Sequence, residues 1–176
     1  MFTRSSQAAA YGPPDLMMRV DGSPEGGGTA VTMDAVLVRP ESRGSLKIVS
    51  DNPFAPPTIT SGALREAGDV AALVRGIQLA RYLAETDAMA ALCGDELRPG
   101  PAAEDRAELA DYVRKTAVED ALAAGTCAMG PDADPMAAVD PSLKVSGVEG
   151  LYVADASVMP EIINAPVVAA EVGIGE

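Results

Sequence analysis

The chain contains no histidine. That removes the commonest general base near neutral pH and the commonest transition-metal ligand. Its two cysteines, Cys93 and Cys127, lie far apart in sequence and lack close metal-ligand spacing, which argues against zinc or iron chemistry. Two cysteines also make no disulfide framework, and they are expected as free buried thiols or an incidental bridge. Basic residues are scarce: 13 lysines and arginines stand against 26 acidic residues, for a net charge of −13. Such a field repels phosphate backbones and anionic membranes, so nucleic acid is not an expected partner and the charge serves solubility. No apolar run approaches membrane-spanning length, and residues 1–11 lack the apolar core of a signal peptide. A cytoplasmic protein with no membrane partner is the expectation.

What is present fits a folded domain. Apolar residues make up 48% and charged residues 22% of 176, enough for one domain with a real core. Residues 1–14 read as a frayed lead-in and 15–176 as the domain. Residues 15–20 and 29–38 have strand character, and 45–49 alternate as a half-buried strand does. The intervening DGSPEGGG of 21–28 reads as a flexible turn or loop, and RPESRG of 39–44 as a turn joining 29–38 to 45–49 as antiparallel neighbours. The proline-rich DNPFAPP of 51–57 must run over the surface without regular structure. Val70, Leu73, Val74 and Ile77 recur at helical spacing, predicting a helix over 68–92 that Gly94 and Pro99 close. A second helix is predicted over 104–121, with Leu109, Tyr112, Val113 and Thr116 inward and Arg114 and Lys115 near its C-terminal end. Residues 151–154 have brief β character, and 165–172 read as a terminal helix. Most methionines, Met136 and Met159 among them, are expected to fill the core. Asp132 and Asp134 lack the glycine and distal glutamate of a calcium loop and read as a solvated turn. Neither Gly26–Gly28 nor the pair Gly173 and Gly175 sits in a strand–glycine loop–helix context that would cradle phosphate.

Four segments carry a family resemblance, in order along the chain. RPESRG resembles R-P-x-S-R-G, and DNPFAPPTI resembles D-P-F-x-x-P-x-I. The helical GDVAALVRGIQLAR resembles D-x-x-x-L-x-x-G-x-x-x-A-R. Finally, the stretch from Gly125 through Asp155-Ala156-Ser157 to Asn164-Ala165-Pro166 resembles the closing segment of the glucose–methanol–choline (GMC) oxidoreductases. The resemblance implies an α+β fold, an antiparallel-rich sheet backed by helices, forming the carboxy-terminal, substrate-binding half of an FAD-dependent alcohol oxidoreductase. It also implies that the Rossmann-type half lies outside this chain, as in a fragment, a split-gene product or a decayed paralogue, and that a separate FAD-binding chain is a possible partner.

In that family a hydride passes from an alcohol carbon to the flavin while a base removes the hydroxyl proton. The family's base is the histidine of H-P-V-G-T-C-R-M-G, and Leu122 stands at its place here, where leucine accepts no proton. Asn164 matches the second catalytic position and can hydrogen-bond a substrate oxygen without titrating; an asparagine capping a turn or helix is the alternative. The resemblance assigns Asp155, Ala156, Asn164, Ala165 and Pro166 to the cofactor's surroundings, with an Asx turn as the other reading of Asp155. Glu119, Asp120 and Glu161 are carboxylates that could replace the base, but a solvated face is the expected role of each. Cys127 reads as packing. The expected activity is alcohol oxidation with FAD as cofactor and a small-molecule alcohol as substrate; this chain by itself is expected to be inactive and to bind FAD poorly. A non-catalytic binding or scaffold protein derived from the same domain is the alternative.

Overall fold

The computed structural model describes residues 1–5, 12–25, 28–119, 123–163 and 167–175. They form antiparallel sheets and helices in two compact units. The first unit comprises Met1–Arg43 and Gly62–Val118, and the second Gly44–Ser61 and Glu119–Glu176.

The first unit is built on a long hairpin. Strand β2 (Leu16–Glu25) and strand β3 (Gly28–Leu37) pair antiparallel from Leu16↔Leu37 to Glu25↔Gly28. Residues 21–25 and Gly28 of the glycine- and proline-rich 21–28 are therefore strand, because ladder pairing outweighs their low β propensity. Strand β1 (Phe2–Thr3) pairs with Met17 and Leu16 of β2, so the first residues are held where fraying was expected. Helix α1 (Ala67–Ala84) lies against β2 and β3, and helix α3 (Arg106–Thr116) lies against α1. Val70 and Val74 of α1 meet Leu109 and Val113 of α3 in a buried cluster that also holds Ala103.

The first predicted helix is shorter than its apolar stripe. Thr86 turns extended (φ −67, ψ 150), its hydroxyl donates to the Leu83 carbonyl at 2.7 Å, and a short helix α2 (Asp87–Ala90) follows. The second is shorter at both ends. Asp105 and Glu108 form a capping box that starts α3, and Ala117 leaves it in extended conformation. Leu109 and Val113 are buried as expected, but Thr116 is exposed and its hydroxyl donates to the Tyr112 carbonyl. Residues 120 and 121, placed in this helix by the sequence reading, lie outside the described residues.

The RPESRG segment does not join β3 to a neighbouring strand. Asp69, only 2% exposed, accepts the Glu41 amide at 2.8 Å and the Ser42 amide at 2.9 Å, and the Glu66 amide donates to the Ser42 hydroxyl at 3.0 Å. The carboxylate sits in the first turn of α1, where the helix dipole favours negative charge. This clasp ties the segment to the helix start. At the other end of α1, Arg81 binds Glu96 at 3.0 Å and donates to the Ala103 carbonyl at 2.9 Å, fixing the loop that precedes α3.

Gly76 lets α1 lie directly on the hairpin: a Cβ there would stand 2.4 Å from the Ala35 Cβ. In an open helix Gly→Ala gains roughly 1 kcal/mol from propensity. Here the clash reverses the sign, and Gly76→Ala is expected to destabilise the chain by about 1–3 kcal/mol in urea unfolding. A more stable variant would contradict this packing.

Candidate functional site

The second unit brings the GTC and DAS runs together. Gly125, Cys127 and Met129 donate their amides to the carbonyls of Ala156, Ser157 and Val158 at 3.2, 2.8 and 2.8 Å. The acceptors form a 3-10 turn, Ala156–Val158. Gly125 adopts φ +85, a conformation that favours glycine, and a Cβ on it would meet the Met159 carbonyl at 3.1 Å. The backbone lacing continues through Ala128, whose carbonyl accepts the Ala138 amide, and Gly130, whose amide donates to Val139. Val139 is fully buried, bridging to Met129 on one side and Val145 on the other.

Below the turn, Ala156, Met159 and Val167 form a buried cluster with Ala124, Ile163, Ala170 and Ile174 packed against it. Helix α4 (Val168–Gly175) supplies the last two, beginning later than the sequence reading placed it. Ala156 is 5% exposed, so its side chain belongs to the core and only its backbone is available to a ligand. Asp155 is exposed. Its carboxylate accepts the Ser157 amide at 2.8 Å, capping the turn in the Asx manner. Hydrogen bonds from the Ser157 hydroxyl, the larger effect, and from the Ser157 amide hold its pKa below the ordinary 3.8. Asp155 is thus an ionised, acceptor-only group beside a buried turn.

Asn164, Ala165, Pro166 and Leu122 lie outside the described residues, as does Asp120. Their described neighbours Ile163, Val167 and Ala124 all belong to the cluster under Ala156. Of the substitute carboxylates, Glu119 is exposed and accepts the Ser61 hydroxyl, and Glu161 is exposed with an interaction of its own. Cys93 and Cys127 are free and half-buried. Asp134 caps a turn through the Met136 amide at 2.9 Å, and Met136 is exposed, not core. Among the described residues no helix is long and apolar enough to cross a membrane.

Sequence reasoning missed the second sheet. Strand β4 (Ser45–Lys47) pairs with strand β5 (Thr58–Thr60), with Leu46 opposite Ile59. The available signal was Gly44, the last residue of RPESRG, where a Cβ would stand 2.3 Å from the Ser61 carbonyl oxygen. Both strands are exposed along their whole length. Phe54, in the loop between them, is 92% exposed, and Ile48 84%.

The two antiparallel sheets, the helices and the laced GTC and DAS runs are the fold and closing segment of one family: residues 40–175 match the carboxy-terminal model of the GMC oxidoreductases, and the chain belongs to that family. An oxygen-dependent choline dehydrogenase of Staphylococcus haemolyticus is 37% identical over 173 residues, which are 93% of this chain and 30% of the relative. The crystal structure of pyridoxine 4-oxidase from Mesorbium loti superposes with a TM-score of 0.86 at 28% identity, covering 98% of this chain and 35% of that one. A formate oxidase of Aspergillus oryzae, studied for its FAD modification, has a TM-score of 0.80 at 25% identity, over 95% of this chain and 31% of its own. The chain therefore spans about a third of the length of the relatives it matches.

The Asp155 cap yields a pH prediction. A depressed folded pKa gives stability that is present above the ordinary 3.8 and lost as pH falls through the lower folded value. In a carbon-13 NMR titration Asp155 should titrate below 3.8, and Ser157→Ala should move it back up. An Asp155 titration indifferent to Ser157→Ala would contradict the cap.

Proposed function

We propose that residues 15–176 are the substrate half of a GMC-type alcohol oxidoreductase that works with a flavin-binding half. The observation that carries this reading is apolar surface left uncovered: Ile48, Phe54 and Ile59 are 84%, 92% and 71% exposed on and beside a two-stranded sheet. Surface of this kind marks an interaction site. The names of the relatives, a choline dehydrogenase and a pyridoxine oxidase, support a small alcohol as substrate.

The residues present fit one rim of FAD. The Asp155 carboxylate accepts hydrogen bonds from hydroxyls such as those of a ribityl chain, and backbone at the Ala156 turn lies beside it. They do not fit the pyrophosphate, since Gly173 and Gly175 lie inside the last helix and not in a loop before one. FAD, when bound, supplies the hydride acceptor. By the family resemblance, Asn164 would hydrogen-bond the substrate hydroxyl without taking its proton, and Ala165 and Pro166 would belong with it to the cofactor's surroundings. Leu122 at the base position accepts no proton, so turnover is slow even in a completed enzyme.

A second reading, a non-catalytic binding or scaffold protein, draws on the same exposed apolar surface and on Leu122. One experiment separates the two. The matching segment of the Staphylococcus haemolyticus relative is replaced by this chain, and choline oxidation is measured. The chimera should retain flavin and turn over slowly, and Leu122→His should raise kcat by about 10²–10⁴. A flavin-loaded chimera that stays inert with Leu122→His favours the scaffold, and one that turns over at the relative's full rate shows that Leu122 is no defect.

A further inference from the structure

Helices α1 and α3 leave between them a groove of about 300 Å³ lined by small and apolar side chains. Ala67 and Ala71 of α1 stand on one side of it and Ala107 and Ala110 of α3 on the other, with the buried Val70 and Val74 beneath. Among the described residues α3 packs on no element other than α1, so nothing described covers the groove. Alanine at these positions leaves both helix backbones open to close approach, and a third helix fits at the usual interaxial distance of roughly 8–10 Å.

Two cations stand at this apolar surface. Arg106 and Arg114 of α3 line the groove, and both are exposed. Although the chain holds 26 acidic residues, these two arginines pair with no carboxylate among the described residues. The carboxylates of the two helices are engaged elsewhere: Asp69 on the Glu41 and Ser42 amides, Glu108 in the capping box, and Asp111 on Lys115. Arg106 and Arg114 lie about two turns apart on α3, or about 12 Å along its axis. A helix laid along the groove matches that distance when its acidic residues are about seven or eight positions apart.

We propose that the α1–α3 groove docks an amphipathic helix of a partner protein. A ridge of small apolar residues seats between Ala71 and Ala107, and two carboxylates beside that ridge bind Arg106 and Arg114. All residues of the groove belong to the first unit, whereas Asp155 and the GTC run belong to the second. A second copy does not supply the complementary charge, because an isologous contact sets the groove against itself and brings arginine to arginine. The net charge of −13 opposes an acidic partner at long range. That field is screened beyond about 10 Å at physiological salt, where direct guanidinium–carboxylate contacts decide.

The test uses this full chain and a synthetic amphipathic peptide with alanine and leucine along one helical face and two glutamates about seven residues apart beside it. Binding is read by fluorescence anisotropy and located by amide chemical shifts. The amides of Ala71, Ala107 and Ala110 should shift on binding. Substituting Arg106→Glu and Arg114→Glu together should weaken binding at least about tenfold, and a peptide with lysines in place of the glutamates should restore it. Both positions are exposed, so the melting point of that variant should stay nearly unchanged. Ala107→Trp, which fills the groove, should weaken binding with both arginines intact. In the chimera described above, where this chain replaces the matching segment of the Staphylococcus haemolyticus relative, the peptide should bind equally well. Absence of binding, binding indifferent to both arginines, or shifts confined to residues outside the groove would each overturn the proposal. Loss of binding in the chimera assigns the groove to the rest of the enzyme and overturns it too. So does a doubled mass of the chain alone with the same amides broadened, which assigns the groove to a second copy.

Discussion

Three backbone hydrogen bonds between Gly125–Cys127–Met129 and the Ala156–Ser157–Val158 turn hold the candidate site together. They join runs separated by about thirty residues of loops and isolated bridges, in which regular secondary structure is too sparse to do so. The lacing places the Asp155 cap at the surface and Ala156 in the core, and the helix that follows Pro166 packs beneath. Because the contacts are made by backbone, they tolerate change in the side chains around them.

The first unit uses side chains for the same purpose. Asp69 and Arg81 stand near opposite ends of α1, and each fastens an irregular segment that could not order itself: RPESRG at one end and the loop before α3 at the other. Gly76 between them brings the helix onto the hairpin. The aspartate, glycine and arginine of the helical motif therefore have separate mechanical roles.

How much was legible in sequence follows from the range of the interactions. Helical periodicity exposed α1 and α3 because their cores repeat every turn, and the buried Val70, Val74, Leu109 and Val113 lie where that spacing put them. Helix ends were misread because they depend on single contacts, such as the Thr86 hydroxyl on Leu83 and the Asp105 capping box. Strand partners were misread because pairing is non-local: residues 29–38 and 45–49 are near in sequence, yet each finds its partner elsewhere. Composition suggested a turn or loop over 21–28, but residues 21–25 and Gly28 belong to the ladder. For the site, the motifs located the closing segment and the Asx turn at Asp155, but nothing in them revealed that GTC and DAS lie side by side.

The proposed function requires a preassembled substrate half whose cofactor site is completed by a flavin-binding half. The most direct measurement is the visible absorption spectrum of the purified chain after incubation with FAD and removal of free flavin, beside that of the chain purified with the flavin-half portion of the choline dehydrogenase relative. The chain alone should be colourless, and the assembly should hold stoichiometric flavin. A yellow chain by itself, holding one flavin per molecule, would contradict that requirement.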